Sequence, residues 1–276
     1  MRGLCKNEQC RTRSVAAKGR PRRRGLGSLE QQFVRVHRRA TEADVGPRRL
    51  LSQIMYCHGD GGEREAQANM RGRLGSVRSL EEFGRVRLSA SFFMRDFLHS
   101  EIADFRGIRN IPDAPDLAIA AGRKLCEQLL EPLQATFGRL AIRSAYRAPA
   151  VNEFGNRHGL SCASNLRNYG RHIWDRRDAM GAMGAMATVV VPWFADRYRD
   201  GADWRALAWW IHDHLPYSQL QFFPKLAAFN IGWHERPRRR IDSFIAPKGC
   251  LTRPGMANHS GLHAEFYPGF PPLRAE

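Results

Sequence analysis

The sequence predicts an α+β fold, and two observations predict it. Apolar residues recur at helical spacing before residue 138, and short alternating or β-branched runs follow later in the chain. A single helical segment, beginning near residue 203, interrupts those later runs. Composition agrees with a globular protein, because 43% of the residues are hydrophobic and 26% are charged, which excludes collagen-like and wholly disordered chains.

The first helical pattern covers residues 91–106 and closes at Gly107. A second pattern begins after Asp113, a predicted helix cap, and runs to Gly138. Pro132 lies inside this second helix and predicts a kink, because proline removes one backbone hydrogen bond.

The strands are predicted in the second half of the chain. Leu140 and Ile142 alternate with polar neighbours, and residues 188–193 form a β-branched run typical of a buried strand. Further strands are expected at 219–223 and 231–234, after a helix capped by Asp203. The segment that follows is rich in Pro and Gly and is expected to wrap over the surface of the domain.

Charge divides the chain into two regions. The net charge is +17, and more than half of it lies in the first 86 residues, whereas all six Trp lie after residue 86. A segment so rich in charge and poor in large apolar side chains cannot offset the entropy of ordering itself. We therefore predict a basic, mostly disordered segment at 1–87, with a short helix near 29–39, and a domain at 88–276.

The basic run Arg20–Arg24 is the one feature that suggests nucleic acid as a partner, through phosphate neutralisation. The alternatives are a solvated tail without function, or upstream sequence that is not translated, with later starts at Met55, Met70 or Met94.

No stretch is long enough for a bilayer-spanning helix, since the longest apolar run, 185–195, falls short of the roughly 20 residues required. No apolar region of a secretory signal follows the basic start, so a cytoplasmic location is predicted. Six Cys do not form a disulfide scaffold in a chain of this length, and Cys126 is expected to be a small buried hydrophobe. We expect a monomer.

Chemistry-bearing side chains gather in three places. They are the turn Ser144–Arg147, the loop holding His172, Asp175 and Asp178, and the late pair Trp233–His234. Two imidazoles and a carboxylate are sufficient for a catalytic zinc site. The alternative is that His172 and His234 are structural.

In their order, these motifs resemble the zinc D-alanyl-D-alanine carboxypeptidases and phage endolysin peptidases of the Hedgehog/DD-peptidase fold. The resemblance runs from about residue 92 to 247 and is carried by SEIADFRGIRNIP, LLEPLQATFG, IRSAYRAPAVN, SQLQFF and GWH. It implies a small, mostly antiparallel sheet flanked by helices. It also implies that Arg147 holds a substrate carboxylate, with Ser144 and Tyr146 in the same binding turn.

The same resemblance implies a zinc ion held by His172, His234 and a carboxylate. The family spaces its first His and its Asp seven residues apart, but that position is Ala179 here. Asp178 is therefore the first choice for the third ligand, and Asp175 is the alternative, or else a partner that orients His172.

A second departure concerns the general base. The family places a catalytic Glu on the strand before its Trp-His element, and the matching stretch 218–223 has no carboxylate. Asp213 and Glu235 are the available substitutes, although neither matches the motif. Two further pairs of His are weaker candidates for a metal site. His212 and His214 would point apart on a helix. His259 and His263 could share a metal only on a helix, and their segment is unsuited to forming one.

Two functions are therefore expected. The first is zinc-dependent hydrolysis of D-amino-acid peptide bonds in peptidoglycan stem peptides, with release to the cell wall in a phage or prophage setting. The alternative is a non-catalytic protein that binds a peptide or protein partner in the same cleft.

Overall fold

A computed structural model describes residues 74–274 of the chain. The basic run at 20–24, the helix near 29–39 and the disorder predicted for residues 1–73 lie outside the described residues. The strands are β1 (Ala141–Ser144), β2 (Gly184–Val190), β3 (Gln219–Phe222), β4 (Phe229–His234), β5 (Arg240–Ser243) and β6 (Gly249–Thr252). The α-helices are α1 (Val77–Gly84), α2 (Glu101–Arg106), α3 (Pro115–Leu125), α4 (Glu131–Phe137), α5 (Pro149–Arg157), α6 (Asn165–Asn168), α7 (Pro192–Arg199) and α8 (Trp204–His214).

The strands form one sheet in the order β1-β2-β4-β3-β5-β6. Only the β3–β5 pair is parallel, and the other pairs are antiparallel. This confirms the predicted α+β fold with a mostly antiparallel sheet. The interior strand β2 is buried at six of its seven positions, which explains its continuous apolar and small-residue sequence. Helix α3 packs against β2 and β4, and its apolar face forms part of the core.

The packed region begins before residue 88, the predicted start of the domain. Ser76 caps α1, because its side chain accepts a hydrogen bond from the N–H of Ser79. Leu74 and Phe83 are buried in the main core. The sequence prediction missed this helix because residues 74–87 are highly charged. The apolar residues of the helix lie on a single face.

The pattern at 91–106 predicted one helix, and the structure has two separate turns. Met94–Phe97 is a 3₁₀ turn, and α2 begins only after Ser100, which caps it. Apolar spacing alone does not reveal this break, because both turns direct their apolar residues toward the same core.

Pro132 is accommodated by a π-helical turn. Residues Cys126–Leu130 follow α3 directly and precede α4, and the N–H of Glu131 donates to the carbonyl of Cys126. The wider turn shifts the hydrogen-bond pattern just before the proline, which has no N–H to offer. Cys126 is fully buried there, as predicted, and burial raises the pKa of its thiol.

Strand β6 was not predicted, whereas β1, β3 and β4 lie within two residues of their expected positions. The strand predicted at 188–193 is shifted, because Pro192 begins α7 and β2 extends back to Gly184. Among residues 74–274, no helix combines the length and apolar character that crossing a bilayer requires.

Candidate functional site

A cleft of about 1020 Å³ lies over one face of the sheet. The predicted binding residues Ser144 and Arg147 line it, as does His172. Tyr146 does not line the cleft, because its side chain is fully buried in the core.

Three hydrogen-bonded polar side chains lie side by side on the floor of the cleft. Thr188 on β2 is in register with Asn230 on β4, which is in register with Gln221 on β3. The Thr188 hydroxyl donates to Asn230 Oδ1 over 2.6 Å, and Asn230 Nδ2 donates to Gln221 Oε1 over 3.2 Å. The sheet thus offers a ladder of hydroxyl and amide groups to whatever enters the cleft.

The lining of the cleft is strongly basic. It includes Arg143, Arg147, Arg167, Arg171 and Lys225, against Glu101 as its one acidic residue. Within residues 74–274, none of these five cations has a carboxylate within 4.0 Å, although paired Arg residues are common elsewhere on the domain. Burial, followed by the neighbouring charges of Arg238 and Arg167, lowers the pKa of Arg171. The cleft therefore carries an excess of positive charge, and its cations have no ion-pair partner among the described residues.

Arg147 is held in place by its surroundings. Its backbone N–H donates to the carbonyl of His172 over 2.8 Å. Its guanidinium donates to Ser144 Oγ over 3.0 Å and contacts Cys162 Sγ at 3.1 Å. These neutral partners fix the side chain and leave its charge uncompensated, which suits it to bind a carboxylate.

His172 is buried beside Arg147. Its Nδ1 lies 2.8 Å from the carbonyl oxygen of Ala145, so Nδ1 carries the proton. Burial, with a smaller contribution from the Arg147 charge, lowers the pKa of His172 to about 3. The imidazole is therefore neutral at pH 7.

Asp178 and His234, two of the expected zinc ligands, lie close together. Asp178 Oδ2 lies 3.2 Å from His234 Nε2. Burial opposes the ionisation of Asp178, but the N–H groups of Ala182 and Met180 and the His234 ring outweigh it and lower its pKa. The pair lies outside the cleft lining.

His172 does not join that pair. Among the described residues, the three metal-ligating side chains that bring their ligand atoms within 4.8 Å of one another form a different group. The predicted set of His172, Asp178 and His234 is therefore not assembled in the structure. The reason is that His172 points its Nδ1 at β1 and lies over Asn230, whereas His234 belongs to the far end of β4.

Asp175 does not orient His172, contrary to the alternative considered for it. Its Oδ2 accepts hydrogen bonds from the N–H of Asp113 and from Arg176, at 2.8 and 3.2 Å. Burial raises the pKa of Asp175, and burial and the neighbouring Asp175 raise that of Tyr146. The carbonyl of Ala145 holds the His172 ring instead.

Neither substitute for the general base lies in the cleft. Asp213 on α8 accepts hydrogen bonds from His263 and Tyr267, each at 2.7 Å. Glu235 accepts from the N–H of Met183 over 2.7 Å and anchors the end of β4 to the start of β2. Both carboxylates serve structural contacts, which corrects their expected roles.

A group that could hold a metal ion does exist, and it combines one residue from each of the two His pairs that the sequence analysis ranked lower. His212, Asp213 and His263 bring their ligand atoms within 4.8 Å of one another. His214, the partner considered for His212, turns away to contact the carbonyl of Trp210. The group joins α8 to the C-terminal segment 253–274, so only the tertiary fold reveals it.

No family model, curated protein or solved structure matches this chain.

Four basic residues of the cleft were missed by sequence reasoning. Arg143 lies on the edge strand β1, Arg167 and Arg171 come from the segment around α6, and Lys225 comes from the turn after β3. Their only signal was the basic character of the domain after residue 86, which does not show which charges converge. The floor residues Thr188 and Asn230 carried no signal, because isolated polar residues in strands are common.

Proposed function

We propose that this chain binds a carboxylate-bearing peptide in the basic cleft without hydrolysing it. The observation that supports this most directly is the convergence of five cations that have no acidic partner within the described residues. Uncompensated charge at the wall of a cleft attracts an anion and orients it. Arg147 is the best placed of the five, because its neutral contacts preorganise a guanidinium that can bind a carboxylate through two parallel hydrogen bonds.

The cleft floor favours a peptide over a simple anion. Amide and hydroxyl groups of Thr188, Asn230 and Gln221 can exchange hydrogen bonds with peptide N–H and C=O groups. A single inorganic anion would contact the cations of the cleft, but it would leave these hydroxyl and amide groups without a ligand partner. We therefore propose a peptide of the stem type, with a free terminal carboxylate, as the ligand class.

A second candidate function is zinc-dependent peptide hydrolysis. One observation favours it: Asp178 and His234, two of the three ligands implied by the resemblance to the zinc DD-peptidases, lie 3.2 Å apart. Hydrolysis would require a further ligand and a base, and the residues expected for these tasks are engaged elsewhere. The binding function needs no such rearrangement.

Calorimetric titration with a stem pentapeptide ending in D-Ala-D-Ala tests the proposal. We expect Arg147→Ala to weaken binding about 10- to 100-fold, in line with loss of a charge-assisted hydrogen bond. The matched control is Arg157→Ala, since Arg157 is exposed and paired with Glu153 on α5. A peptide with an amidated C-terminus should also bind more weakly to wild type.

The same samples, supplied with Zn²⁺, are assayed for release of D-Ala. Binding without release supports the non-catalytic function. Release that is abolished by both His234→Ala and Asp178→Asn would favour the peptidase instead. Equal affinities of wild type and Arg147→Ala would contradict the role of the basic cleft.

A further inference from the structure

The group of His212, Asp213 and His263 lies away from the cleft and links two parts of the fold. Asp213 Oδ1 is 2.7 Å from His263 Nδ1, and Asp213 Oδ2 accepts from the backbone N–H of His263 at the same distance. The His263 ring stacks on Trp209, with the ring centroids 4.0 Å apart. These contacts seat the irregular C-terminal segment on α8.

The two imidazoles are oriented in the same way. His263 Nε2 lies 3.0 Å from the carbonyl oxygen of Asn258, and His212 Nε2 lies 3.0 Å from that of His259. A carbonyl oxygen can only accept, so each Nε2 carries a proton and donates it. Metal-binding histidines are held in this way, with one ring N–H on a carbonyl and the other nitrogen directed at the ion.

The remaining nitrogen of His263 faces a carboxylate. Both Nδ1 and Asp213 Oδ1 are acceptors once Nε2 has taken the ring proton of a neutral imidazole. A metal ion can therefore be bound by both atoms, which would move slightly apart from their present separation of 2.7 Å. On His212, the Nδ1 is hydrogen-bonded to the Tyr217 hydroxyl at 2.6 Å. This hydrogen bond would have to break for His212 Nδ1 to bind a metal ion.

The electrostatics of Asp213 also call for a cation. Its carboxylate is only 1% exposed, and among residues 74–274 no Lys or Arg pairs with it. Its Oδ1 faces His263 Nδ1, and its Oδ2 accepts hydrogen bonds from the Tyr267 hydroxyl and from the backbone N–H of His263. A buried anion is stable only with close compensation, which a divalent ion would supply.

We propose that His212, Asp213 and His263 bind one divalent transition-metal ion that fastens the C-terminal segment to α8. Two imidazole nitrogens and one carboxylate oxygen suit Zn²⁺ best, whereas Mg²⁺ and Ca²⁺ prefer oxygen ligands alone. The ion has a structural role, because its three ligands are shielded from solvent and none of them lines the cleft. This site is independent of the proposed peptide binding.

The experiment uses the full chain, stripped with a chelator and dialysed against Zn²⁺ alone, with metal content measured by elemental analysis. We expect wild type to retain one more ion per chain than Asp213→Asn or His212→Ala, and to gain thermal stability on Zn²⁺ addition. Co²⁺ in place of Zn²⁺ should give visible absorption bands in wild type that both variants lack. Circular dichroism establishes that each variant is folded.

Two control variants make the result decisive. His158→Ala removes an exposed histidine on α5 and should leave the metal content unchanged. His214→Ala removes a histidine of α8 that contacts the carbonyl of Trp210 and lies outside the group, and it should also leave the metal content unchanged. Asp213→Asn preserves the size of the side chain, so it remains informative if His212→Ala does not fold. The proposal is overturned if folded wild type retains no ion, or if its metal content matches that of Asp213→Asn.

Discussion

At the scale of single residues, His172 is the most unusual titratable group of the cleft. It is buried, its Nδ1 is bonded to a backbone carbonyl, and its neighbour Arg147 is positively charged. Burial and the charge of Arg147 oppose protonation of the ring, whereas the backbone carbonyl does not. The ring is therefore uncharged in the wall of a basic cleft. Its protonation at low pH should destabilise the folded state.

We predict that His172 makes the domain acid-sensitive below pH 6.5. The unfolded ring binds a proton near its usual pKa of 6.5, whereas the folded ring does so only near 3, so the free energy of unfolding falls as pH drops through this interval. The slope attributable to His172 approaches about 1.4 kcal/mol per pH unit.

Urea unfolding of wild type and His172→Asn, measured from pH 7 to pH 4, checks this prediction. The variant should be less stable at pH 7, because it loses the ring's packing, and the difference should shrink on acidification. Other histidines titrate in both proteins and cancel. A difference that stays constant from pH 7 to pH 4 would show that His172 titrates normally.

At the scale of elements, the contact between the His172 loop and the end of the sheet depends on a glycine. A Cβ at Gly184 would lie 2.3 Å from the carbonyl oxygen of Gly170 and 2.6 Å from Cδ2 of His234. Strand β2 can approach this loop only because residue 184 has no side chain. The Asp178–His234 pair is formed at this junction.

We predict that Gly184→Ala destabilises the fold by about 1–3 kcal/mol, the usual range for overpacking a tight site. Gly232→Ala on β4 is the matched control, because its Cβ would meet the flexible end of Met186 at 2.9 Å. Chemical denaturation of both variants measures the two costs. Equal and small costs would mean that the loop moves freely away from β2.

The elements show which features a sequence can predict. Leu140 and Ile142 alternate, and residues 188–190 are part of a β-branched run, so local pattern located β1 and the C-terminal end of β2. Local pattern could not separate the turn at Met94–Phe97 from α2, because that break depends on the cap at Ser100. It also missed β6, a four-residue strand defined by its pairing with β5.

The site was predictable to the same limited degree. The turn with Arg147 follows from a motif, whereas the closeness of Asp178 and His234 was expected only through the resemblance, from which Asp178 departs by one position. The position of His172 relative to that pair depends on how its loop crosses the sheet. The convergence of Arg167, Arg171 and Lys225 depends on three elements far apart in sequence, for which no local pattern exists.

At the scale of the whole molecule, α1 belongs to the packed domain. Phe83 is fully buried, and Leu74 is nearly so. We predict that a chain lacking residues 1–87 is less stable than one lacking residues 1–73, by about 3–5 kcal/mol or more, the cost of deleting a buried Phe side chain. Urea midpoints of the two chains compare them directly. Identical midpoints would place α1 outside the cooperative unit.

The C-terminal segment closes the opposite part of the core. Phe270 packs against Phe137, Trp193 and Phe194, and Trp210 donates its ring N–H to the carbonyl of Pro271. During synthesis, these aromatic rings have no covering until residue 271 has left the ribosome. The nascent chain must therefore carry an exposed aromatic surface during the later part of its elongation, a state in which association with chaperones or with other nascent chains is favoured.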